Sequence, residues 1–450
     1  MLITNCRIIT WGTPNKIFYE YAVLIRGSKI EKIAFQSDLL IEYPTEEKFD
    51  AKGQLLMPGL ICAHTHFYGA FSRGLGIPGA APADFPEILE KLWWPLDQSL
   101  TLEDTKYSTL VCLLDAIEHG STTLFDHHAS PNAISGSLSE IADAIDESGL
   151  RAVLCYEVTD RGGKEKTLEG IQENVRMMES VKQNNLGGRL NASFGLHASL
   201  TLSDETLKLC REAVSATGGF HIHVAEHPID EYDSLQKSGL RVIDRLKKYD
   251  MLGENSIIAH GVHIDMKEAE LLAESRTWVT HQPRSNMNNA VGMADVESLL
   301  RMGIKVCMGN DGFSNAMWDE WRSCYLAHKL WHKDPQRMNG AKVIEMGAYN
   351  NAEMANHFFP WDGKVGIIEE GAQADLILVD YLPFTEMNTG NLPWQILFGF
   401  RDSMVTSTMV AGKFLMKDRQ LLSLDKEEII RKAYKLSKDV WVRYQKQFQH

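Results

Sequence analysis

The chain has 450 residues, 44% hydrophobic and 24% charged, with 46 Lys and Arg against 60 Asp and Glu. That length suits two domains or one large barrel with additions, in an ordinary globular composition. The net charge of −14 leaves no basic excess to meet nucleic acid, and no apolar run approaches the length of a membrane span.

The N-terminus, MLITNCRIITWGTP, lacks the basic and apolar regions of a signal peptide. Seven scattered cysteines, with no C-x-x-C pair, read as buried reduced thiols of a cytoplasmic protein. The first fifty residues read as short strands with turn punctuation, Gly27-Ser28 having hairpin character. From residue 56, strand-like segments alternate with helical ones. The strands are LLMPGLICAHTH, GSTTLFDHH, RAVLCYEVTD, NASFGLHASL, GFHIHVAEH, SIIAHGVHI, TWVTHQPRSN and KVCMGNDG. Helical spacing marks SLSEIADAIDESG, LEGIQENVRMMESVKQ, SDETLKLCREAVSATG and DSLQKSGLRVIDRLKKYD.

Eight strands alternating with helices predict an α/β fold, a (β/α)8 TIM barrel over residues 56–362. Residues 67 to about 100, rich in Gly and Pro and carrying LWWPLD, read as an insertion over the barrel mouth. Strands return in EEGAQADLILVD and SMVTSTMVAGKFLMKDRQLL. Residues 1–55 and 363–422 are thus expected to build one small β-sandwich from both chain ends. Residues 423–450 read as an amphipathic helix.

Of sixteen histidines, eleven fall at or near the ends of the expected barrel strands. They are His64, His66, His127, His128, His197, His221, His223, His227, His260, His263 and His281. Strand ends of a parallel barrel surround one cavity, where such enzymes do their chemistry. Core packing explains one or two histidines there, not histidines on six strands.

His64 and His66 share one face of strand one. On its own, H-x-H is a weak metal signal. Strand five adds a third imidazole, His221 or His223, of which His223 lies nearer the mouth. Strand eight adds Asp311, otherwise a helix cap. Three imidazoles and a carboxylate suit one divalent metal, Zn2+ or alternatively Fe2+. A poor leaving group also needs a proton. Glu226, three residues past His223, is the natural donor unless it is a solvated surface group. His260, rather than the more distant His263, is placed to polarise the attacked group.

These motifs together resemble the amidohydrolase superfamily, in its chlorohydrolase and aminohydrolase branch, over nearly the whole chain. The markers are MPGLICAHTH, HIHVAEH, AHGVH, HQPRSNMNN, GNDG and EEGAQADLILVD. The resemblance implies a mononuclear site with His64, His66, His223 and Asp311 on the metal. It implies Glu226 and His260 as proton-transfer and polarising groups, with Asp311 also taking a proton from the nucleophilic water. It places His197 facing substrate and shows no strand-four lysine for a second metal. It points to His281 and Arg284 in substrate selection. Trp93 and Trp94 read either as a wall for an aromatic ring or as a hydrophobic staple to the lid. Relatives commonly carry Asp or Asn two residues before the first metal histidine; here Cys62 stands there.

The expected activity is hydrolytic deamination of a small amino-substituted N-heterocycle, purine- or pterin-like. The alternatives are a hydrolase that opens a cyclic amide and, from a different class, a non-catalytic binding barrel. The expected partners are the small heterocyclic substrate and, because relatives commonly pair, a second copy of the chain; neither nucleic acid nor a membrane is expected.

Overall fold

The computed structural model describes residues 1–215, 218–359 and 363–449. Eight short strands run through the middle of the chain. They are β1 Leu60–Thr65, β2 Ser121–Asp126, β3 Arg151–Leu154 and β4 Phe194–Ala198. After them come β5 Phe220–Val224, β6 Ile257–His260, β7 Trp278–His281 and β8 Val306–Met308. Each lies within one of the eight segments picked from the sequence. Nearly every residue in them is buried, as expected of parallel strands covered on both faces.

The strands form two parallel arcs, β1-β2-β3 and β4-β5-β6-β7-β8, the short strand Leu190–Ala192 extending the first beyond β3. The arcs approach each other at two seams. At one, Thr65 bridges Asp311, and the N–H groups of Asn310 and Asp311 donate to the His64 carbonyl at 3.0 and 3.1 Å. A Cβ on Gly309 would lie 2.5 Å from that carbonyl oxygen. At the other, Val158 bridges Leu196, and the His197 N–H donates to the Val158 carbonyl at 2.9 Å. There a Cβ on Gly195 would meet the Tyr156 carbonyl oxygen at 2.3 Å. Both seams need a residue without a side chain.

The chain ends supply two antiparallel-rich sheets. One has the order Lys29–Phe35, Tyr21–Arg26, Leu2–Thr4, Lys48–Asp50. Gly27, with φ +57°, and Ser28 turn its hairpin. The other runs from Gln420–Leu421 through Lys413–Lys417, Val405–Val410, Leu376–Val379, Leu55–Pro58 and Arg7–Ile9 to Ile17–Phe18. Alternation decides the two faces of this second sheet. Leu56, Leu376 and Leu378 join Ile3, Val23 and Ile25 in a cluster that draws on both sheets. Leu55, Met57, Ile377 and Val379 belong instead to the large core containing Leu110, Leu113 and Ile117 of the helix Leu102–Glu118. The boundary expected at residue 55 therefore cuts a strand that pairs along its whole length with Leu376–Val379. The boundary expected at 362 lies outside the described residues. A buried ion pair ties β3 to this sheet: Arg151 Nε and Nη2 donate to Asp375 Oδ2 and Oδ1 at 3.0 and 3.2 Å.

Two helical expectations need correction. DSLQKSGLRVIDRLKKYD is two helices, Pro228–Ser238 and Val242–Lys248, because Gly239 takes φ +71° and caps the first. In SDETLKLCREAVSATG the helix ends at Ala213, and residues 216 and 217 lie outside the described residues. The insertion after β1 is folded as short helical turns, Phe67–Ser72, Phe85–Ile88 and Leu89–Asp97. The C-terminal helix Lys426–Lys446 braces it. Ala433, Leu436, Val440 and Tyr444 pack on Tyr68, Phe71 and Leu96, while Trp441 Nε1 donates to the Phe71 carbonyl at 2.8 Å.

Candidate active site

The ends of β1, β5, β6 and β8 bring four imidazoles and one carboxylate into a single cluster. Each imidazole is engaged at Nδ1. His66 Nδ1 donates to the His127 carbonyl at 2.6 Å, and His223 Nδ1 to the His197 carbonyl at 2.8 Å. His260 Nδ1 donates to Asn286 Oδ1 at 2.9 Å, and His64 Nδ1 lies 2.9 Å from His221 Nε2. A neutral imidazole holding its proton at Nδ1 leaves a lone pair at Nε2. In all four rings that atom faces the centre of the cluster.

There, His66 Nε2 lies 3.1 Å from His223 Nε2 and 2.9 Å from Asp311 Oδ1, with His64 Nε2 3.3 Å from the same oxygen. His64 Nε2 is buried and has no hydrogen-bond partner. Lone pairs so close together repel unless a cation joins them, and spacings near 3 Å suit donors each about 2 Å from one ion. The residues fit a divalent metal. His64, His223, His260 and Asp311 present donor atoms within 4.8 Å of one another, as do His64, His66, His127 and His223. Burial pushes His64 down to about 3, so its ring stays neutral and able to ligate at physiological pH.

Backbone strain helps aim these groups. His260 and Asp311 take φ of +73° and +57°, and Ala225, just before Glu226, takes +47°. Left-handed conformations cost free energy in non-glycine residues and gather at functional sites. Asp311 Oδ2 accepts from the Ser285 hydroxyl, leaving Oδ1 to the histidines.

Glu226 is 8% exposed, accepts from Asn289 Nδ2 at 3.2 Å, and places Oε2 3.4 Å from His260 Nε2. Burial raises its carboxyl, with His260 pulling the other way. Of the two strand-five histidines, His223 joins the cluster, while His221 backs His64 from behind. Cys62 stays apart: its thiol donates to the His64 carbonyl at 3.3 Å, and burial pushes it up to about 12.

A cavity of about 700 Å³, counting its open mouth, lies over the cluster. His66, His223, Glu226 and Asp311 form part of its wall. Tyr68, Phe85, Leu89, Trp93 and Trp94 from the insertion form the apolar side, and His197, Asp97 and Glu157 also line it. His281 and Arg284, expected at the substrate, stand elsewhere. The His281 side chain turns from the cavity toward the helix Met317–His332, its Nε2 3.1 Å from His328 Nε2, with Cys324 close by. Arg284 is spent on Glu320 and on the Ser314 carbonyl, which it reaches at 2.8 Å. Helix packing behind β7 captured both side chains, which sequence spacing does not reveal.

Glu157 escaped the sequence reading. It lies three residues past β3, 2% exposed, with Oε1 3.3 Å from Nδ1 of both His66 and His127. The strand-end test that singled out the histidines would have found it, applied to acids in CYEVTD.

Two buried neutral histidines outside the cluster oppose acidification. Burial holds His128 at about 3 and His328 at about 4, against 6.5 for a free ring. Folded values below the unfolded one mean that their share of stability is whole above pH 6.5. It is lost as the pH falls from 6.5 through 4 and 3. At pH 5 each costs about 2 kcal/mol. Metal-free His328→Gln is expected to lose less stability than the metal-free parent between pH 7.5 and pH 5, read from urea unfolding; an identical pH dependence would contradict this.

Residues 55–415 match the model of the amidohydrolase family. The chain is 32% identical over 425 residues to a 5'-deoxyadenosine deaminase of Methanobrevibacter smithii, covering 92% of each protein. It is 28% identical over 441 residues to a 5-methylthioadenosine/S-adenosylhomocysteine deaminase of Acetivibrio thermocellus, covering 95% of this chain and 96% of that one. Its structure is similar to that of an adenosine deaminase from Xanthomonas campestris with bound zinc. That likeness has a TM-score of 0.84 at 22% identity, over 98% of both chains. The chain belongs to the amidohydrolase family, whose TIM-barrel type of fold the two arcs follow.

Proposed function

We propose that the protein is a metal-dependent deaminase, which hydrolyses the amino group from a purine- or pterin-like N-heterocycle and releases ammonia. It is a hydrolase of carbon–nitrogen bonds other than peptide bonds. The observation that carries the deaminase reading is the convergence of four imidazole Nε2 atoms and Asp311 Oδ1 beside the buried carboxyl of Glu226. The two curated relatives, both named as deaminases of adenosine derivatives, favour a purine ring over a pterin and deamination over ring opening.

His64, His66, His223 and Asp311 would hold the metal, in our reading a single Zn2+, with Fe2+ accepted by the same donors. When bound, such an ion brings the pKa of water to about 7 and so supplies hydroxide at neutral pH. Asp311 takes up a proton from the attacking water on the β8 side and returns it to the departing amine, which leaves as ammonia. Glu226 delivers one to the ring nitrogen next to the attacked carbon, so that the amine can leave. His260, fixed through Asn286, turns Nε2 to the same point and polarises the ring. The aromatic insertion covers the substrate and excludes water.

The same reading joins the two arcs into one closed (β/α)8 barrel, supported by the hydrogen bonds at both seams. It sets beside the barrel a β-sandwich of residues 1–55 and 363–422, supported by the apolar cluster that both sheets share, and a closing helix over 423–450. Pairing of two chains is supported by Leu330 and Trp331, 80% and 58% exposed on the helix Met317–His332.

Ammonia release from a panel of aminopurines, adenosine derivatives and aminopterins tests the proposal. At least one purine substrate is expected to yield stoichiometric ammonia and a product in which oxygen replaces the amine. A product heavier by one water with no ammonia released would establish ring opening instead, and silence across the panel would end the deaminase reading.

A further inference from the structure

Three acids of the described cavity wall are not used by the reaction above: Asp97, Glu157 and Asp230. Asp97 pairs with Arg161 through Oδ2, its Oδ1 having no partner, and Asp230 accepts from the backbone of Leu200 and Ala225; among the described residues, Glu157 has neither a guanidinium nor a backbone N–H. Glu157 Oε1 is buried against Nδ1 of His66 and of His127, 3.3 Å from each. His66 Nδ1 donates to the His127 carbonyl, whereas His127 Nδ1 has no other partner and faces this oxygen. The other Glu157 oxygen lies toward His197, which also lines the cavity, at 3.7 Å from Nε2 and so beyond hydrogen-bonding distance. A carboxylate almost fully removed from water is costly unless donors reach both of its oxygens. The cavity is where a donor can enter.

Its place in the fold says which part of a substrate would supply that donor. Glu226, His260 and Asp311 come from β5, β6 and β8, whereas Glu157 and His197 come from β3 and β4. A ring whose reacting edge faces Glu226 therefore presents another edge to Glu157. Among the described lining residues there is no Lys or Arg, against five Asp and Glu. We propose that Glu157 determines specificity by accepting a hydrogen bond from an N–H group on the substrate edge remote from the attacked carbon. The site thus selects heterocycles with a donor at that edge and turns away those carrying an anion there. This rests on the deaminase reading.

The test compares the metal-loaded parent with Glu157→Gln on matched purines: 2,6-diaminopurine, 6-aminopurine, and a 6-aminopurine carrying a carboxylate in place of the second amine. The parent is expected to favour the diamino compound and reject the carboxylate. Hydrogen bonds to a charged group support a drop of about 30-fold in the diamino-to-monoamino ratio of kcat/KM for Glu157→Gln. That drop should lie chiefly in KM, with the carboxylate analogue gaining, and with metal content and melting temperature those of the parent. Glu157→Asp, which keeps the charge, is expected to retain part of the preference.

An unchanged ratio, an equal fall for both amines, or loss of metal from both variants would overturn the proposal and leave Glu157 a support for His66 and His127. So would a parent that deaminates purines without preferring the diamino compound. A parent that releases no ammonia from any purine brings down the deaminase reading itself, a different result.

Discussion

Glu226→Gln is expected to lower kcat for ammonia release by about 1000-fold while leaving KM within about threefold and metal content unchanged. General acid–base groups contribute about 100- to 10,000-fold, and several observations place this one in the middle of that range. The side chain is 8% exposed, and its carboxyl is raised by burial, so it holds a proton further up the pH scale than a free glutamate does. It faces His260 Nε2 at 3.4 Å and is steadied by Asn289 at 3.2 Å. Glutamine keeps the shape and the Asn289 contact but cannot pass a proton from water to ring. Single-turnover assays with metal analysis of the same sample check this. A fall below tenfold would remove Glu226 from proton transfer, and a fall matched by metal loss would make it a structural group.

Asp375→Ala is expected to destabilise the protein by about 3–5 kcal/mol, read from urea unfolding. Arg151 and Asp375 are 2% and 1% exposed, so deleting the carboxylate strands a buried guanidinium, the costly way to break such a pair. The same carboxylate accepts from the Ala411 N–H at 2.8 Å, which ties three strands through one side chain. Asp375→Asn keeps an acceptor for that N–H and is expected to lose less. A change under 1 kcal/mol for the alanine variant would mean that the terminal sheet and β3 are held together by their apolar contacts alone.

Periodicity carried much of the architecture. Short apolar runs punctuated by helical spacing marked all eight parallel strands, because a strand buried on both faces must be apolar throughout. Polar residues at the ends of such runs have few structural uses, which is why His64, His66, His223, Glu226, His260 and Asp311 stood out. His281 obeyed the same rule and was misjudged. Being at a strand end says where the backbone is, whereas the direction of the ring was settled by His328, 47 residues later. Arg284 was taken by Glu320 in the same way.

By itself, then, the sequence determined which residue types stand at which strand ends, since local alternation and turn chemistry operate over a few neighbours. Only the tertiary structure decided which of those side chains share a cavity. That depended on contacts far apart in the chain: β8 brought against β1 through Gly309, β3 against β4 through Gly195, and His221 behind His64. It also set Glu157 in the cavity wall, between His66, His127 and His197. Side-chain direction at a strand end is set by whatever packs from outside, and that neighbour is written elsewhere in the polypeptide.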